Sequence, residues 1–165
     1  MATRKGVVIT AIILAAIAAA SFAVWMVPQN RGSSIVVSDY RGELESVKER
    51  HALIVTEMES DLKELLDKTL SPDDFISKAQ TSSGQVISLI TELVESNPPA
   101  EWRESYLNYD ESLKKYNEYL TEAISLASKM KDGMSQVGLN DEITKMDSLK
   151  QESDSLVVKS NETRP

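Results

Sequence analysis

An uncharged apolar stretch near the amino terminus constrains this chain more than any other feature. It runs from Val7 to Val27, 21 residues without a charged side chain. A helix of this length reaches roughly 31 Å at about 1.5 Å of rise per residue, and the hydrocarbon core of a bilayer is about 30 Å thick. Trp25 lies near one end, where interfacial aromatic side chains concentrate, and Pro28 follows. The stretch predicts a membrane-spanning helix over 7–27.

The charges that flank the stretch predict its orientation. Arg4 and Lys5 precede it, and Arg31 is the basic residue that follows it most closely. Basic residues favour the cytoplasmic side of a membrane, so we expect residues 1–6 to form a short cytoplasmic amino terminus. The protein is then expected in the plasma membrane, as a single-pass signal-anchor protein with the bulk of its chain extracytoplasmic.

Two other interpretations of the amino terminus stay open. A basic pair, an apolar core and the small residues Ala18-Ala19-Ala20 are also typical of a cleaved signal peptide. The apolar run continues to Val27, however, whereas a signal core has roughly 7 to 15 residues. Residues 4–8, Arg-Lys-Gly-Val-Val, resemble the processing site of archaeal type IV pilin-like precursors, and this resemblance implies a filament subunit.

The chain beyond the predicted span is strongly acidic. All 26 Asp and Glu residues lie after Val27, with 16 of the 18 Lys and Arg residues, which leaves a formal net charge of −10 there. We therefore expect no nucleic-acid partner, because phosphates are bound by clustered basic side chains. The chain has no cysteine, so an extracytoplasmic domain would be held together by packing without disulfides.

Apolar residues recur at three- and four-residue spacing from Ile35 almost to the end of the chain. This pattern predicts an all-α fold, in which a linker over 28–34 leads to an extracytoplasmic antiparallel helical bundle over 35–159. Three long helices and a shorter fourth are expected at about 35–70, 72–97, 99–131 and 141–159, with a flexible tail over 160–165. The regular four-three spacing of the third helix is typical of coiled-coil packing.

Several residues mark the expected ends of these helices. Ser71 before Pro72 predicts a capped start for the second helix. Asn97-Pro98-Pro99 separates the second helix from the third, and Gly133 suits the left-handed position after the third. Asn140 is expected to cap the fourth helix.

Inner positions follow from the same spacing. Asp61 interrupts the apolar seam of the first helix, and we expect its neighbour Leu62 to take over the contact. The residues expected to be buried in the second helix are Phe75, Ile76, Ala79, Val86, Ile87, Ile90, Leu93 and Val94.

Five of the nine aromatic residues lie within 18 positions of the third helix: Trp102, Tyr106, Tyr109, Tyr116 and Tyr119. The spacing of the first four indicates a core stripe. Tyr and Trp also carry binding energy at interfaces, so these five residues, with Glu118 and Glu122, are the candidate partner-binding surface. A third interpretation is a Tyr-lined interior that binds a small ligand.

Chemistry-bearing patterns are scarce. His51, the single histidine, occupies an inner position of the first helix. A carboxylate-bridged metal site in a bundle needs Glu-x-x-His pairs from facing helices, but the residue three before His51 is Lys48. The chain shows no calcium-binding loop, no Gly-rich phosphate loop and no Gly-x-Ser-x-Gly turn. We therefore expect no catalytic residue, no metal site and no cofactor, and hence no enzyme.

Two weaker patterns complete the candidate sites. Within the predicted span, four alanines recur every four residues and offer a low ridge for transmembrane packing: Ala11, Ala15, Ala19 and Ala23. Asn161 begins the sequence Asn-Glu-Thr, a glycosylation acceptor pattern.

The order of a short cytoplasmic terminus, one span and an acidic helical domain resembles small, uncharacterised single-pass membrane-anchored helical proteins of archaea. Residues 98–106, Pro-Pro-Ala-Glu-Trp-Arg-Glu-Ser-Tyr, carry the resemblance, which covers residues 97–131 best. It implies an accessory subunit of a membrane complex and carries over no site residues.

The leading functional hypothesis is a non-enzymatic membrane-anchored bundle that acts in protein–protein interaction, or as an accessory or structural subunit of an envelope complex. Its partner would be another membrane or envelope protein or a second copy of itself, with lipid around 7–27. The alternatives are an extracytoplasmic small-ligand-binding or sensory module and, third, a pilin-like filament subunit.

Overall fold

The computed structural model describes residues 39–133 and 136–165. These residues form four helices and no strand: α1 (Tyr40–Leu66), α2 (Pro72–Glu95), α3 (Ala100–Lys131) and α4 (Gln136–Glu162). The all-α prediction is therefore confirmed for the described part of the chain.

The predicted span over 7–27 and the linker over 28–34 lie outside the described residues. None of the four described helices combines the length and apolar character needed to cross a bilayer.

Helix α4 is longer than predicted. It has 27 residues, as many as α1, and it passes through Asn140, which was expected to cap it. Leu139 and Ile143 on either side of Asn140 both pack against the core. Fully burying an apolar side chain is worth about 1.5–3 kcal/mol and an N-cap about 1 kcal/mol, so the partial burial of two apolar side chains is enough to offset the capping preference.

The end of α4 also differs from the prediction of a flexible tail over 160–165. The helix continues to Glu162, and Ser160 is fully buried. Beyond the helix, Arg164 forms an ion pair with Glu45 of α1. These contacts hold the carboxyl-terminal residues against the bundle.

Helix α1 ends four residues earlier than expected. Lys68 adopts a left-handed conformation with φ of 62°, and the Thr69 amide donates to the Glu64 carbonyl at 2.9 Å. This bond closes the helix and satisfies a carbonyl that would otherwise lack a partner.

The predicted start of the second helix and the predicted end of the third are confirmed, whereas α2 ends at Glu95 and α3 begins at Ala100, each within two residues of the prediction. The Ser71 hydroxyl accepts a hydrogen bond from the Asp74 amide at 3.1 Å, and Pro72 occupies the first helical position. Gly133 follows α3 with φ of 78°, a conformation that glycine adopts without steric cost.

Successive helices are antiparallel, because the residue numbers that meet rise in one helix as they fall in the next. The contacts are Arg50–Glu92 and Asp61–Lys78 for α1 and α2, Asp73–Lys131 and Ser83–Asn117 for α2 and α3, and Ser105–Ser160 and Glu122–Lys145 for α3 and α4. The antiparallel order was predicted.

Helix α3 is central to the bundle. It packs against each of the other three helices, whereas no Cα atom of α1 lies within 8 Å of one in α4 among the described residues. The inner positions predicted for α3 are all buried or partly buried. The helices are therefore most closely packed between α3 and α4 and between α2 and α3, whereas α1 and α4 are widely spaced.

Three positions, two on α2 and one on α1, differ from the predictions. Ile87 and Val94 of α2 are 42% and 65% exposed, and Leu89, which was not predicted, is buried in their place. Asp61 stays on the inner face at 3% exposed, while Leu62 is only partly buried. Asp61 can stay on the inner face because α2 supplies a cation to its carboxylate: Lys78 Nζ lies 2.6 Å from Asp61 Oδ1.

Candidate functional site

The structure places the predicted aromatic cluster mainly inside the bundle. Four tyrosines are no more than 3% exposed: Tyr106, Tyr109, Tyr116 and Tyr119. Trp102 is partly buried and packs on Tyr106 with ring centroids 6.5 Å apart. In this conformation the four phenol rings form core and are not available as a docking surface.

His51 of α1 lies among these rings. Its Nδ1 is 2.9 Å from the Tyr109 hydroxyl. The imidazole meets the Tyr116 ring edge to face with centroids 4.8 Å apart, and Tyr116 stacks on Tyr119 at 5.2 Å. Helices α1 and α3 thus share a buried His–Tyr cluster, composed of His51, Tyr109, Tyr116 and Tyr119.

Two polar atoms of the His–Tyr cluster have no hydrogen-bond partner among the residues that the structure describes. They are Nε2 of His51 and the hydroxyl oxygen of Tyr116, and both are buried. Leaving a buried donor or acceptor unpaired costs about 1–3 kcal/mol. Burial lowers the pKa of His51 from 6.5 to about 4, although the negative charge of Asp154 opposes this shift. The imidazole is therefore neutral at pH 7.

The outer edge of the cluster is closed by a lysine. Lys48 Nζ lies 5.0 Å from the centroid of the Tyr109 ring and donates to Asn161 Oδ1 at 2.6 Å. Burial lowers the pKa of Lys48 to about 8, and the positive charge of Arg164 adds to this effect. A cation over an aromatic face is attracted by the ring quadrupole. The ammonium group of Lys48 can therefore cover the cluster without a buried carboxylate as its partner.

Tyr106 belongs to a separate polar contact at the start of α1. Its hydroxyl lies 2.8 Å from the Tyr40 carbonyl oxygen and 2.7 Å from Glu43 Oε2. Burial raises the pKa of Glu43, while the hydrogen bond from Tyr106 opposes that rise. This contact joins the first turn of α1 to α3, at a position separate from His51.

The remaining predicted site residues are dispersed. Glu118 is exposed and pairs with Lys115 at 3.1 Å, whereas Glu122 is largely buried and pairs with Lys145 at 2.7 Å. Asn161 is exposed and accepts from Lys48 and from Arg164. The predicted packing ridge, Ala11, Ala15, Ala19 and Ala23, lies outside the described residues.

Two open grooves mark the outer surface of the described residues. The first, of about 360 Å³, lies between α1 and α2 and is lined by residues that include Leu53, which is 71% exposed, and Leu89. The second lies on α4 beside Leu156. Neither groove is lined by a residue of the aromatic cluster. Within residues 39–133 and 136–165, no three His, Asp or Glu side chains converge to hold a metal ion.

Comparisons of the chain with protein-family models, with curated proteins and with solved structures found no match. The arguments about function therefore rest on the residues of this chain.

Sequence reasoning missed the role of His51 as a partner of Tyr109. The available signal was the inner position of His51 in the apolar seam of α1, which indicated contact with another helix. Which residue of the other helix it meets depends on the register between segments 58 residues apart.

Proposed function

We propose that this protein is a non-enzymatic, membrane-anchored helical bundle that acts through protein–protein contacts, as an accessory or structural subunit of an envelope complex. One observation carries the proposal: an uncharged stretch over 7–27 long enough to cross a bilayer precedes a bundle whose tyrosines are used in packing. The archaeal resemblance over 97–131 agrees with an accessory role.

The charges on the outer surface favour binding to another protein over catalysis on a substrate. It carries scattered carboxylate–amine pairs, such as Glu118 with Lys115 and Glu111 with Lys114. Exposed pairs of this kind add little stability, but they set which partners a surface accepts. The proposed partner is a membrane or envelope protein, or a second copy of this chain.

A specific observation favours one alternative, a small-ligand-binding or sensory module. His51 Nε2 and the Tyr116 hydroxyl are buried without partners, and a small polar ligand could satisfy both if the bundle opened. Such a ligand would replace the contacts that now close the His–Tyr cluster.

The test is purification of the full chain from gently solubilised membranes, with quantitative mass spectrometry of whatever accompanies it. We expect a partner in fixed stoichiometry. Glu118→Lys should lower recovery of that partner several-fold, whereas the matched control Glu111→Lys, on an equally exposed site of α3, should not. A chain that emerges alone and monomeric, while small polar ligands protect it from thermal unfolding, would favour the alternative.

The membrane anchor is tested separately. The chain should stay with the bilayer after alkaline carbonate extraction, and the intact mass should include residues 1–27. Loss of about the first 20 residues, the position of the signal-like alanines, would remove the anchor from the proposal.

A further inference from the structure

We propose that protonation of His51 opens the seam between α1 and α4. This inference concerns regulation of the bundle and holds whether or not the proposed function is correct. It stands on the spacing of the two helices, on the surroundings of the imidazole and on the residues that bridge the seam.

The seam between α1 and α4 is joined by long side chains. No Cα pair of the two described helices lies within 8 Å. The bridges are an ion pair of Glu59 with Lys150 at 3.2 Å, the hydrogen bond of Lys48 with Asn161 at 2.6 Å, and the ion pair of Glu45 with Arg164. Exposed pairs of this type contribute about 0–1 kcal/mol each, so the bridges themselves add little to the closed state.

The seam between α3 and α4 is different. The Ser105 hydroxyl donates to the Ser160 carbonyl at 2.7 Å, and the Ser153 hydroxyl donates to the Ser112 carbonyl at 2.9 Å. These four serines are at most 1% exposed. Because these buried hydrogen bonds reach the backbone of the facing helix, α3 and α4 lie close together. We therefore expect α4 to stay on α3 when α1 moves.

Protonation places a charge that the closed seam cannot accommodate. An imidazolium has two N–H donors. The Tyr109 hydroxyl can accept from Nδ1, but Nε2 has no acceptor, and His51 is 5% exposed. Burying an unpaired charge is costly, and admitting water between α1 and α4 relieves that cost.

Charged and titratable groups lie around the His–Tyr cluster on α1, α3 and α4. Within α1 these groups are Lys48 and Glu45, and α3 supplies the three phenols of the His–Tyr cluster. Helix α4 supplies Asp154, which is exposed and paired with Lys150. On α2, Glu92 is paired with Arg50 of α1 at 2.7 Å. None of the carboxylates among these groups forms a hydrogen bond with the imidazole in the described residues.

The pH range follows from the burial of the imidazole. The pKa of His51 is about 4 in the closed bundle and 6.5 when the ring is free. The open state therefore binds the proton more tightly, and opening becomes more favourable as the pH falls from about 6.5 to about 4. The full shift in the open-to-closed ratio is up to roughly 300-fold, from the linkage of protonation to conformation.

The first measurement is nuclear magnetic resonance of the imidazole in the full chain. His51 is the only histidine, so its ring signals need no assignment. We expect titration well below pH 6.5 in the closed bundle. An ordinary titration near pH 6.5 would overturn the proposal, because it would show that the ring is already open to water.

The second measurement is the distance between α1 and α4. The chain has no cysteine, so the exposed pair Thr56→Cys and Gln151→Cys can carry two fluorophores in the full chain. The control pair is Thr121→Cys and Ser148→Cys, which spans α3 and α4. We expect only the first distance to lengthen as the pH falls from 6.5 to 4.

Variants without an imidazole keep the inference falsifiable. In His51→Gln, and in His51→Phe if it folds, the α1–α4 distance should stay constant over the same pH range. Lengthening that persists in these variants would assign the effect to carboxylates and overturn the proposal. Equal lengthening of the control pair would show general unfolding and also overturn it.

Discussion

Lys78 of α2 donates a hydrogen bond to Asp61 of α1, with 2.6 Å between Nζ and Oδ1. The carboxylate is 3% exposed, and its Oδ2 has no partner. Asp61 occupies the position where the apolar seam of α1 is interrupted. The hydrogen bond raises the pKa of Lys78, so the amine stays charged and the pair persists at neutral pH.

Replacing Lys78 should destabilise the fold more than replacing Asp61. Lys78→Met leaves the Asp61 carboxylate buried without a cation, whereas Asp61→Leu fills the position with an apolar side chain. Losing one partner of a buried pair is more costly than replacing the buried charge. Urea unfolding of the full chain should therefore give a lower midpoint for Lys78→Met than for Asp61→Leu. The opposite order would mean that the pair itself is a net source of stability.

Two tyrosines one heptad apart on α3 should respond oppositely to loss of the hydroxyl. Tyr116→Phe removes a buried oxygen that has no partner, so it should raise the free energy of unfolding by about 1 kcal/mol. Tyr109→Phe removes the hydrogen-bond partner of His51 Nδ1 and should lower the free energy of unfolding by about 1 kcal/mol. The two variants are matched controls for each other in urea unfolding. Equal losses in both would show that the Tyr116 hydroxyl has a partner in solution.

The tight seam between α3 and α4 should not tolerate a larger side chain. Ser153 is 1% exposed against Ser112, and Ser153→Val adds bulk to a packed contact, at a cost of about 1–3 kcal/mol. Ser155→Val on the exposed face of α4 should change stability by less than about 0.5 kcal/mol. Thermal unfolding of the two variants side by side makes the comparison. An equally small change in stability for Ser153→Val would indicate that α3 and α4 are not closely packed at Ser153.

Buried phenols should resist ionisation in the folded chain. Burial raises the pKa of Tyr119 to about 12, and it raises the pKa values of Tyr106, Tyr109 and Tyr116 still further. Because these folded-state values exceed the ordinary value of 10, stability should fall as the pH rises above 10. Absorbance at about 295 nm should show that these four buried tyrosines are still protonated at about pH 11 in the folded chain. In urea all five should ionise together near pH 10, and similar curves with and without urea would contradict the burial.

The packing of α3 was predictable from its sequence, but the packing of α2 was only partly so. In α3 the large side chains recur at one spacing, which predicts one buried stripe, although Ser105 and Ser112 are also buried outside that stripe, against α4. In α2, apolar residues do not keep to one spacing: Ile87 and Leu89 are two positions apart, and either could face inward. The position of α3 decides between them, and this is tertiary information.

The contacts of the His–Tyr cluster lay beyond sequence reasoning for a related reason. The inner position of His51 was visible in the spacing of α1. Its hydrogen bond to Tyr109 and the wide spacing of α1 from α4 depend on helix register and on the central place of α3. A single sequence fixes neither, since the same spacing permits several pairings of inner faces.

The carboxyl-terminal residues give the last test, because sequence and structure differ there. Deletion of residues 160–165 removes the buried Ser160, whose carbonyl accepts from Ser105 at 2.7 Å, and removes the Arg164 pair with Glu45. Leaving the Ser105 hydroxyl without an acceptor should cost about 1–3 kcal/mol of unfolding free energy. Deletion of Pro165 alone, which is exposed, should cost almost nothing. Equal midpoints for the two deletions in urea would restore the flexible tail, whereas the expected difference would mean that α4 depends on its final turn to hold α3.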